Sequence, residues 1–473
     1  MNGIFDKKTQ SRNPLALDRS MFEHNIPLLR EITRRPYFRH CFTMIWLAPA
    51  RYGRYDWRDD ETWARAATNA SVVASVARDG GVNGLIIDIE DYYDQGQYTC
   101  GTNDPPYEEC RALARRRGAE VFGAVFRENP EATVLAYGLL SWDRSYSTAD
   151  DLRAMMAEKR DLWPAFVNGI LDAMPPTAVL VDGCEPAYGF DLRRGDFAAS
   201  AYWQKVGLLD LVEPENRRKY QDQVRAGFGL YLDRYLRSRK VAFFGPTDGT
   251  AIDHFRRNFS AACKYADEYV WLYGEQQLWV KRDGWKPPKY AYEERFIGRT
   301  WEDEMPGLAE TVRLVKQGDA GVGQKFEELR AAGSLVNLAT EKRIRLENTT
   351  NVVEAAGEPP VYACVGGKRG TVCAHVPVKP GDWYAVEFSG RGRLHGDGGQ
   401  IRWKAPTGYG WCWIPEDRKP VILRAPASGE DANEAWRTGH TVVRVPPGVG
   451  ELVVWIRLFD TAEVKDIGVY KLF

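Results

Sequence analysis

Three apolar runs of the chain end in acidic side chains, at the points where strand-like sequence stops. The runs and the acids that they carry are AVLVDGCEP at 178–186 with Glu185, YVWLYGEQQLW at 269–279 with Glu275, and GLIIDIEDY at 84–92 with Asp88 and Glu90. Runs of this length are typical of parallel strands covered on both faces, and α/β folds keep their chemistry at the carboxyl ends of such strands. We therefore expect the four carboxylates to share one face of the protein.

Two carboxyl groups at such a face are enough to cleave a glycosidic bond. One is protonated and assists the departing oxygen, while the other is ionised and acts as a nucleophile or activates water. This chemistry needs no cofactor and no metal. We predict Glu185 and Glu275 as the catalytic pair.

The same strand ends are rich in aromatic side chains, in a chain with 16 Trp and 23 Tyr. Flat aromatic faces stack on the C–H faces of sugar rings, so a carbohydrate is the predicted partner. The predicted substrate-binding residues are Trp46, Asp88, Glu90, Tyr92, Tyr137, Trp142, Asp182, Tyr188, Trp271 and Tyr273. The structural alternatives are core packing for each aromatic residue and, for the acids, rim pairing with Arg51, Arg54 or Arg144.

Two of these motifs resemble a known family. Glu185-Pro186 at a strand end resembles the acid/base motif of clan A glycoside hydrolases, commonly Asn-Glu-Pro, and Tyr-Gly-Glu at Glu275 resembles the strand end that bears their nucleophile. The resemblance implies a retaining glycosidase with Glu185 as acid/base and Glu275 as nucleophile. Cys184 stands where the clan has asparagine.

A second resemblance gives an alternative. NGLIIDIE at 83–90 resembles the chitinase signature Asp-Gly-x-Asp-x-Asp-x-Glu, with Asn83 and Ile86 in place of two of its aspartates. It implies a hydrolase that uses Glu90 as the acid. Two further alternatives are a barrel that binds glycan without turnover and a divalent-metal site. The oxygen ligands of such a metal site would be Asp88, Glu90, Asp182 and Glu185.

From about residue 20 to 318, strand-length apolar runs alternate with long amphipathic stretches, the rhythm of βα units. Strands are predicted at 42–49, 85–90, 133–141, 178–185, 240–247 and 269–275, and helices at 62–78, 110–127, 149–174, 214–239, 250–265 and 301–316. Long aromatic loops after the strands favour a (β/α)8 barrel. Two more strands, one in the first 40 residues and one in 281–297, would complete it, and an incomplete or degenerate barrel is the alternative. A doubly wound open sheet is the competing architecture.

Beyond Gly318 the pattern changes to short alternating segments separated by Gly and Pro. Eight such segments, from RIRLE to IGVYKL, predict an all-β sandwich. VKPGDWYAV and VPPGVGELVVW within them resemble jelly-roll carbohydrate-binding modules, and Trp403, Trp411 and Trp413 form a candidate sugar platform. The predicted domains are a barrel at 1–325 and a β-sandwich at 340–473.

The composition limits the other partners. The 64 basic and 65 acidic residues nearly cancel, which argues against nucleic acid. No run approaches the roughly 18 apolar residues of a membrane helix, so no membrane partner is predicted. The oligomeric state stays open.

Location and cysteine chemistry are less constrained. The first residues, MNGIFDKKTQSRNP, lack the apolar centre of a secretory signal. If a signal has been removed from this chain, we expect an extracellular or periplasmic protein; the cytoplasm is the alternative. The cysteines and histidines lack the spacing of metal ligands. Cys100 and Cys110 either form a disulfide or stay as buried thiols.

Overall fold

The structure is a computed structural model. It describes residues 16–38, 40–47, 54–90, 96–142, 151–192, 195–236, 244, 249–275, 277–280, 299–347, 352–355, 359–366, 368–395, 398–407, 410–423 and 434–473. The chain forms two compact units. The first unit is Met1–Phe190, Asp196–Leu232 and Ala262–Tyr273, and the second is Asp191–Gly195, Asp233–Ala261 and Gly274–Phe473.

Parallel strands and helices alternate in the first unit, as the βα rhythm predicts. The elements are α1 (Ile26–Thr33), β1 (Phe42–Trp46), α2 (Asp60–Asp79), β2 (Gly84–Asp88), α3 (Tyr107–Glu128), β3 (Thr133–Ala136), α4 (Leu152–Lys159), α5 (Trp163–Ala173), β4 (Val179–Asp182), α6 (Asp196–Lys205), α7 (Arg217–Gln223), β5 (Val224–Ala226), β6 (Phe228–Tyr231), α8 (Ala251–Tyr265, which begins in the second unit) and β7 (Val270–Tyr273). Apolar residues of β2, β3 and β4 form one core with apolar faces of α2, α3 and α5.

The strands follow one another in the sheet in chain order. β1 to β5 form a five-stranded parallel sheet, and β6 pairs in parallel with β7. Gly227, whose N–H donates to the Asp182 carbonyl at 2.8 Å, separates β5 from β6, so one extended segment pairs first with β4 and then with β7. Tyr269, just before β7, contacts Phe42 of β1 edge to face, with ring centroids 5.7 Å apart. This contact brings β7 close to β1. The α/β class is confirmed, while closure of eight strands into a barrel stays a prediction.

One predicted helix is wrong over Val224–Tyr231. The stretch 214–239 is helical before Val224, VRAGFGLY from Val224 to Tyr231 forms β5 and β6, and a short 3-10 helix follows at Leu232–Tyr235. Gly227 and Gly229 lie in an apolar run that is buried on both faces, where glycine disfavours a helix and an extended segment packs well. Except for Phe244, the predicted strand at 240–247 lies outside the described residues, as does the one expected at 281–297.

The antiparallel sheets predicted beyond 340 lie in the second unit. Its elements are α9 (Trp301–Glu304), α10 (Leu308–Ala331), β8 (Ile344–Glu347), β9 (Val352–Ala355), β10 (Val361–Cys364), β11 (Arg369–Pro377), β12 (Trp383–Arg391), β13 (Gly398–Thr407), β14 (Gly410–Ile422), β15 (Arg437–Arg444), β16 (Glu451–Phe459) and β17 (Glu463–Lys471). The sheet orders are β15-β12-β17-β10-β9 and β14-β13-β16-β11-β8. Tyr362 and Val386 of the first sheet share a buried core with Val372 and Ile456 of the second, which gives the pair the character of a β-sandwich.

Trp403 does not form part of a sugar platform, because its ring is buried in the sandwich core. The side chains of Trp411 and Trp413 lie outside the described residues. The predicted platform therefore loses one of its three members, and the part of the other two stays a prediction.

Helix α10 covers the outer face of one sheet of the sandwich. Gly318, with φ 61° and ψ −146°, interrupts the helix, and beyond it Val322 and Phe326 pack with Trp383 and Val442. The second half of α10 therefore shares a core with the sandwich. The predicted domain limits, 1–325 and 340–473, stay a prediction.

None of the helices among the described residues combines the length and the apolarity that a membrane crossing requires.

Candidate active site

Glu185 stands on a tight turn at the end of β4. Gly183 N–H donates to the Ala136 carbonyl, and Glu185 N–H to the Tyr137 carbonyl, both at 2.7 Å, so pairing with the chain of β3 continues past the last strand residue. Cys184 adopts a left-handed conformation, with φ 44° and ψ 64°, and Glu185 opens a short 3-10 helix that ends at Gly189. These contacts fix the backbone on both sides of Glu185.

Asp182, the last residue of β4, holds this turn from inside. Its carboxylate accepts the N–H groups of Leu139 and Leu140 at 3.0 Å and of Ser141 at 2.9 Å, as well as the Ser141 hydroxyl. It also accepts the Cys184 N–H at 3.3 Å, and the side chain has no exposed surface. Asp182 therefore positions the turn that carries Glu185 and does not contact a substrate as predicted. Because its carboxylate is already bound to these groups, Asp182 is also not available as a ligand in the metal alternative.

The carboxyl group of Glu185 is half-buried and electrostatically unusual. Oε2 is buried and has no hydrogen-bond partner within the described part of the chain. Burial, followed by the nearby negative charges of Glu90 and Asp88, raises the pKa of Glu185 from 4.5 to about 7. A carboxyl group that is protonated near neutral pH and has an unpartnered oxygen suits a general acid.

A cluster of aromatic rings surrounds the same turn. Tyr137 and Trp271 stack with centroids 4.8 Å apart, and Tyr188 lies 5.3 Å from Trp271 and parallel to Tyr273 at 6.0 Å. The indole N–H of Trp271 donates to the Gly183 carbonyl at 2.8 Å, which ties β7 to the turn. Burial and the neighbouring carboxylates raise the pKa of Tyr137 and of Tyr188, so both hydroxyls stay protonated donors.

Asp88 and Glu90 lie at the carboxyl end of β2, near enough to Glu185 for their charges to act on it. Trp46 is level with Asp88 in the pairing of β1 and β2, and its indole N–H donates to the Glu90 carbonyl at 3.1 Å. Asp88 accepts the Glu90 N–H at 2.9 Å. The charges of both acids raise the pKa of Tyr137 and of Glu185, so the structure brings these predicted residues together.

The described contacts do not place the remaining predicted residues beside Glu185. Tyr92 is outside the described residues. Trp142 packs against the core and lines a cavity of about 390 Å³. Glu275 is exposed, belongs to the second unit, and donates its N–H to Asp233 at 2.9 Å, so its separation from Glu185 stays a prediction. Of the arginines proposed to pair with the acids, Arg54 binds Asp104 instead.

Sequence reasoning missed Tyr231, which completes the aromatic cluster. Its ring lies 5.1 Å from Tyr188 and 5.2 Å from Tyr273, at the end of β6. On the same strand, a Cβ on Gly229 would lie 2.6 Å from the Trp271 ring and 2.9 Å from the Tyr188 ring, so glycine leaves room for both rings. The alternation of glycine and aromatic residues in GFGLY was the available signal.

Comparisons with known proteins give weak likenesses. No protein-family model matches the sequence, and no curated protein is detectably similar to it. One similar solved structure is the enzymatically active domain of tailspike protein 4 from bacteriophage CBA120, with TM-score 0.20 and 10% identity over 28% of this chain and 20% of that one. A second is a family 16 carbohydrate-binding module, with TM-score 0.17 and 14% identity over 25% of this chain and 82% of that one.

A longer match is to a Paenibacillus sp. cycloisomaltooligosaccharide glucanotransferase complexed with cycloisomaltoheptaose. The TM-score is 0.21, with 10% identity over 92% of this chain and 57% of that one. The chain thus spans a fifth of the tailspike domain and just over half of the glucanotransferase. TM-scores near 0.2 do not establish a shared fold with any of these proteins.

Proposed function

We propose that the protein hydrolyses a glycosidic bond in an oligo- or polysaccharide, with Glu185 as the general acid. The state of one carboxyl group supports this most. Glu185 is half-buried, has a pKa of about 7, and keeps one oxygen without a partner among the described residues. Two further carboxylates and several half-buried rings lie beside it, a combination that suits a sugar ring.

In the proposed reaction, Glu185 gives its proton to the departing glycosidic oxygen. Ionised Glu275 attacks the anomeric carbon and forms a glycosyl ester. Glu185, now a carboxylate, takes a proton from water, which attacks the same carbon and releases Glu275. This retaining route requires the two carboxyl groups to lie about 5 to 5.5 Å apart.

Glu90 is the competing acid, as in the chitinase-like alternative. The observation that favours a part for Glu90 is that its charge acts directly on Glu185. A protein that binds glycan without turnover is the third possibility, because the aromatic cluster alone suits a sugar.

Three variants of the full chain separate these proposals on a panel of aryl glycosides and polysaccharides. Glu275→Ala should abolish turnover on every substrate. Glu185→Ala should lose about 10²- to 10⁴-fold on poor leaving groups, keep activity on good ones, and recover further with azide, which needs no general base. Glu61→Gln, on the exposed face of α2, is the matched control and should keep the native rate.

Two results would contradict the proposal. Loss of activity in Glu90→Ala, with near-native rates in Glu185→Ala and Glu275→Ala, would assign the acid to Glu90. Glycan binding without turnover by the native protein, abolished by Trp271→Ala, would make the protein a carbohydrate-binding protein and no hydrolase.

A further inference from the structure

Two buried thiols meet at the start of helix α3. Cys100 and Cys110 are free and exposed by only 2% and 0%. Their sulfur atoms and a carboxylate oxygen of Asp104 all lie within 4.8 Å of one another. Both thiols lie near the Pro105 carbonyl, at 3.6 and 3.4 Å. The two sulfur atoms therefore occupy one small space.

The surroundings of the two sulfur atoms differ. The Arg160 guanidinium donates to Cys100 Sγ at 2.9 Å, and also to the carbonyls of Cys100 and Gly101. A guanidinium group beside a sulfur atom is typical of cysteines that react with disulfides. Burial raises the pKa of Cys110 to about 12, so this thiol keeps its proton. Because Arg160 contacts Cys100, we assign the first attack, on an oxidant, to Cys100 and the second attack, on Cys100, to Cys110.

We propose that Cys100 and Cys110 form a reversible disulfide, with a low-molecular-weight disulfide as the oxidant. Both thiols are buried, so the oxidant reaches Cys100 when the surrounding segment opens locally. The Cys100 thiolate then attacks one sulfur of the oxidant and expels the first small thiolate. Cys110 then gives its proton to the small thiolate just released, attacks the sulfur of Cys100 and expels the second. In sum, the two protein thiols are oxidised to one disulfide and the oxidant is reduced to two thiols.

The same side chains suit a metal ion less well. Arg160 donates to Cys100, and Arg54 pairs with Asp104 at 2.5 Å. Two guanidinium groups already neutralise the ligands that a cation would need. The donors present therefore favour the disulfide.

The disulfide would fasten a junction between two segments that follow β2 and β3. Cys100 N–H donates to the Arg160 carbonyl at 2.9 Å, and Leu162 N–H to the Tyr98 carbonyl at 2.7 Å. Cys110 belongs to the first turn of α3. A covalent bond would thus link α3 to this junction and slow its opening, whether or not the protein is a glycosidase.

The test is thiol trapping on the full chain. The protein is incubated with oxidised glutathione or with dithiothreitol, denatured in excess alkylating reagent, digested and analysed by mass spectrometry. After oxidation, the peptides of Cys100 and Cys110 should be linked, with two fewer of the eight cysteines alkylated. Cys41→Ser is the matched control and should oxidise like the native chain. Alkylation of all eight cysteines, or linkage between other cysteines, would overturn the proposal.

Two further measurements probe the mechanism and the metal alternative. Arg160→Asn should slow oxidation roughly tenfold, because asparagine tolerates the φ of 53° at this position but cannot reproduce the contact to sulfur. An unchanged rate would remove Arg160 from the proposal. Binding of Zn²⁺ by the reduced protein, lost in both Cys100→Ser and Cys110→Ser, would replace the disulfide with a metal site.

Discussion

At the residue scale, the negative charge of ionised Glu185 should destabilise the folded protein. Its pKa is about 7 in the folded chain against 4.5 as the ordinary value. Between these pH values the folded state binds the extra proton, so stability falls as pH rises from about 4.5 to about 7. Below this window both states are protonated and the cost is absent.

Glu185→Gln should therefore stabilise the protein at alkaline pH. The full pKa shift corresponds to about 3 kcal/mol, and the water contact of a half-buried side chain reduces this to the order of 1 kcal/mol. We expect a gain in Tm of about 2 to 4 °C at pH 8 and almost none at pH 4.5, measured by calorimetry. An equal gain at both pH values would contradict the raised pKa.

Asp182→Asn should destabilise the protein, although the two side chains have the same shape. An amide group would set N–H donors against the N–H groups of Leu139, Leu140 and Ser141. We expect a loss of at least about 2 kcal/mol in the free energy of unfolding by urea. Asp222→Asn, at an exposed pair with Arg218, is the control and should change little.

At the scale of elements, the strand β6 depends on a glycine to admit two rings. Gly229→Ala would place a Cβ 2.6 Å from Trp271 and 2.9 Å from Tyr188, so we expect a cost of about 1 to 3 kcal/mol and weaker glycan binding. Gly323→Ala is the control, because a Cβ at this helical position meets nothing within 4 Å. It should stabilise the chain by about 0.5 to 1 kcal/mol. Equal changes in Tm for both variants would show that the rings are not constrained by β6.

Local pattern predicted β2, β3, β4 and β7, because each is an apolar run bounded by turns. It failed at Val224–Tyr231, where polar residues before the run imitated the spacing of a helix. Pattern also placed Glu185, Asp88 and Glu90 at strand ends, since a strand's end is a local property. It misjudged Asp182 and Trp403, because the direction and burial of a side chain depend on distant segments.

At the scale of the whole molecule, α10 should be needed for the sandwich. Phe326 is fully buried with Trp383 and Val442, so Phe326→Ala should cost about 3 to 5 kcal/mol, and exposed Val336→Ala almost nothing. A fragment of residues 319–473 should melt higher and stay more soluble than one of 340–473, which exposes this apolar face. Equal melting of the two fragments would mean that the helix adds nothing.

The left-handed backbone at Cys184 bears on how this site would respond to laboratory evolution. Among residues other than glycine, asparagine adopts that conformation with the least strain. The clan A motif has asparagine before its glutamate, so a library at this position meets no backbone barrier between the two side chains. The outcome of selection would then depend on whether the buried space beside Ser200 can hold the amide of asparagine in place of the Cys184 thiol.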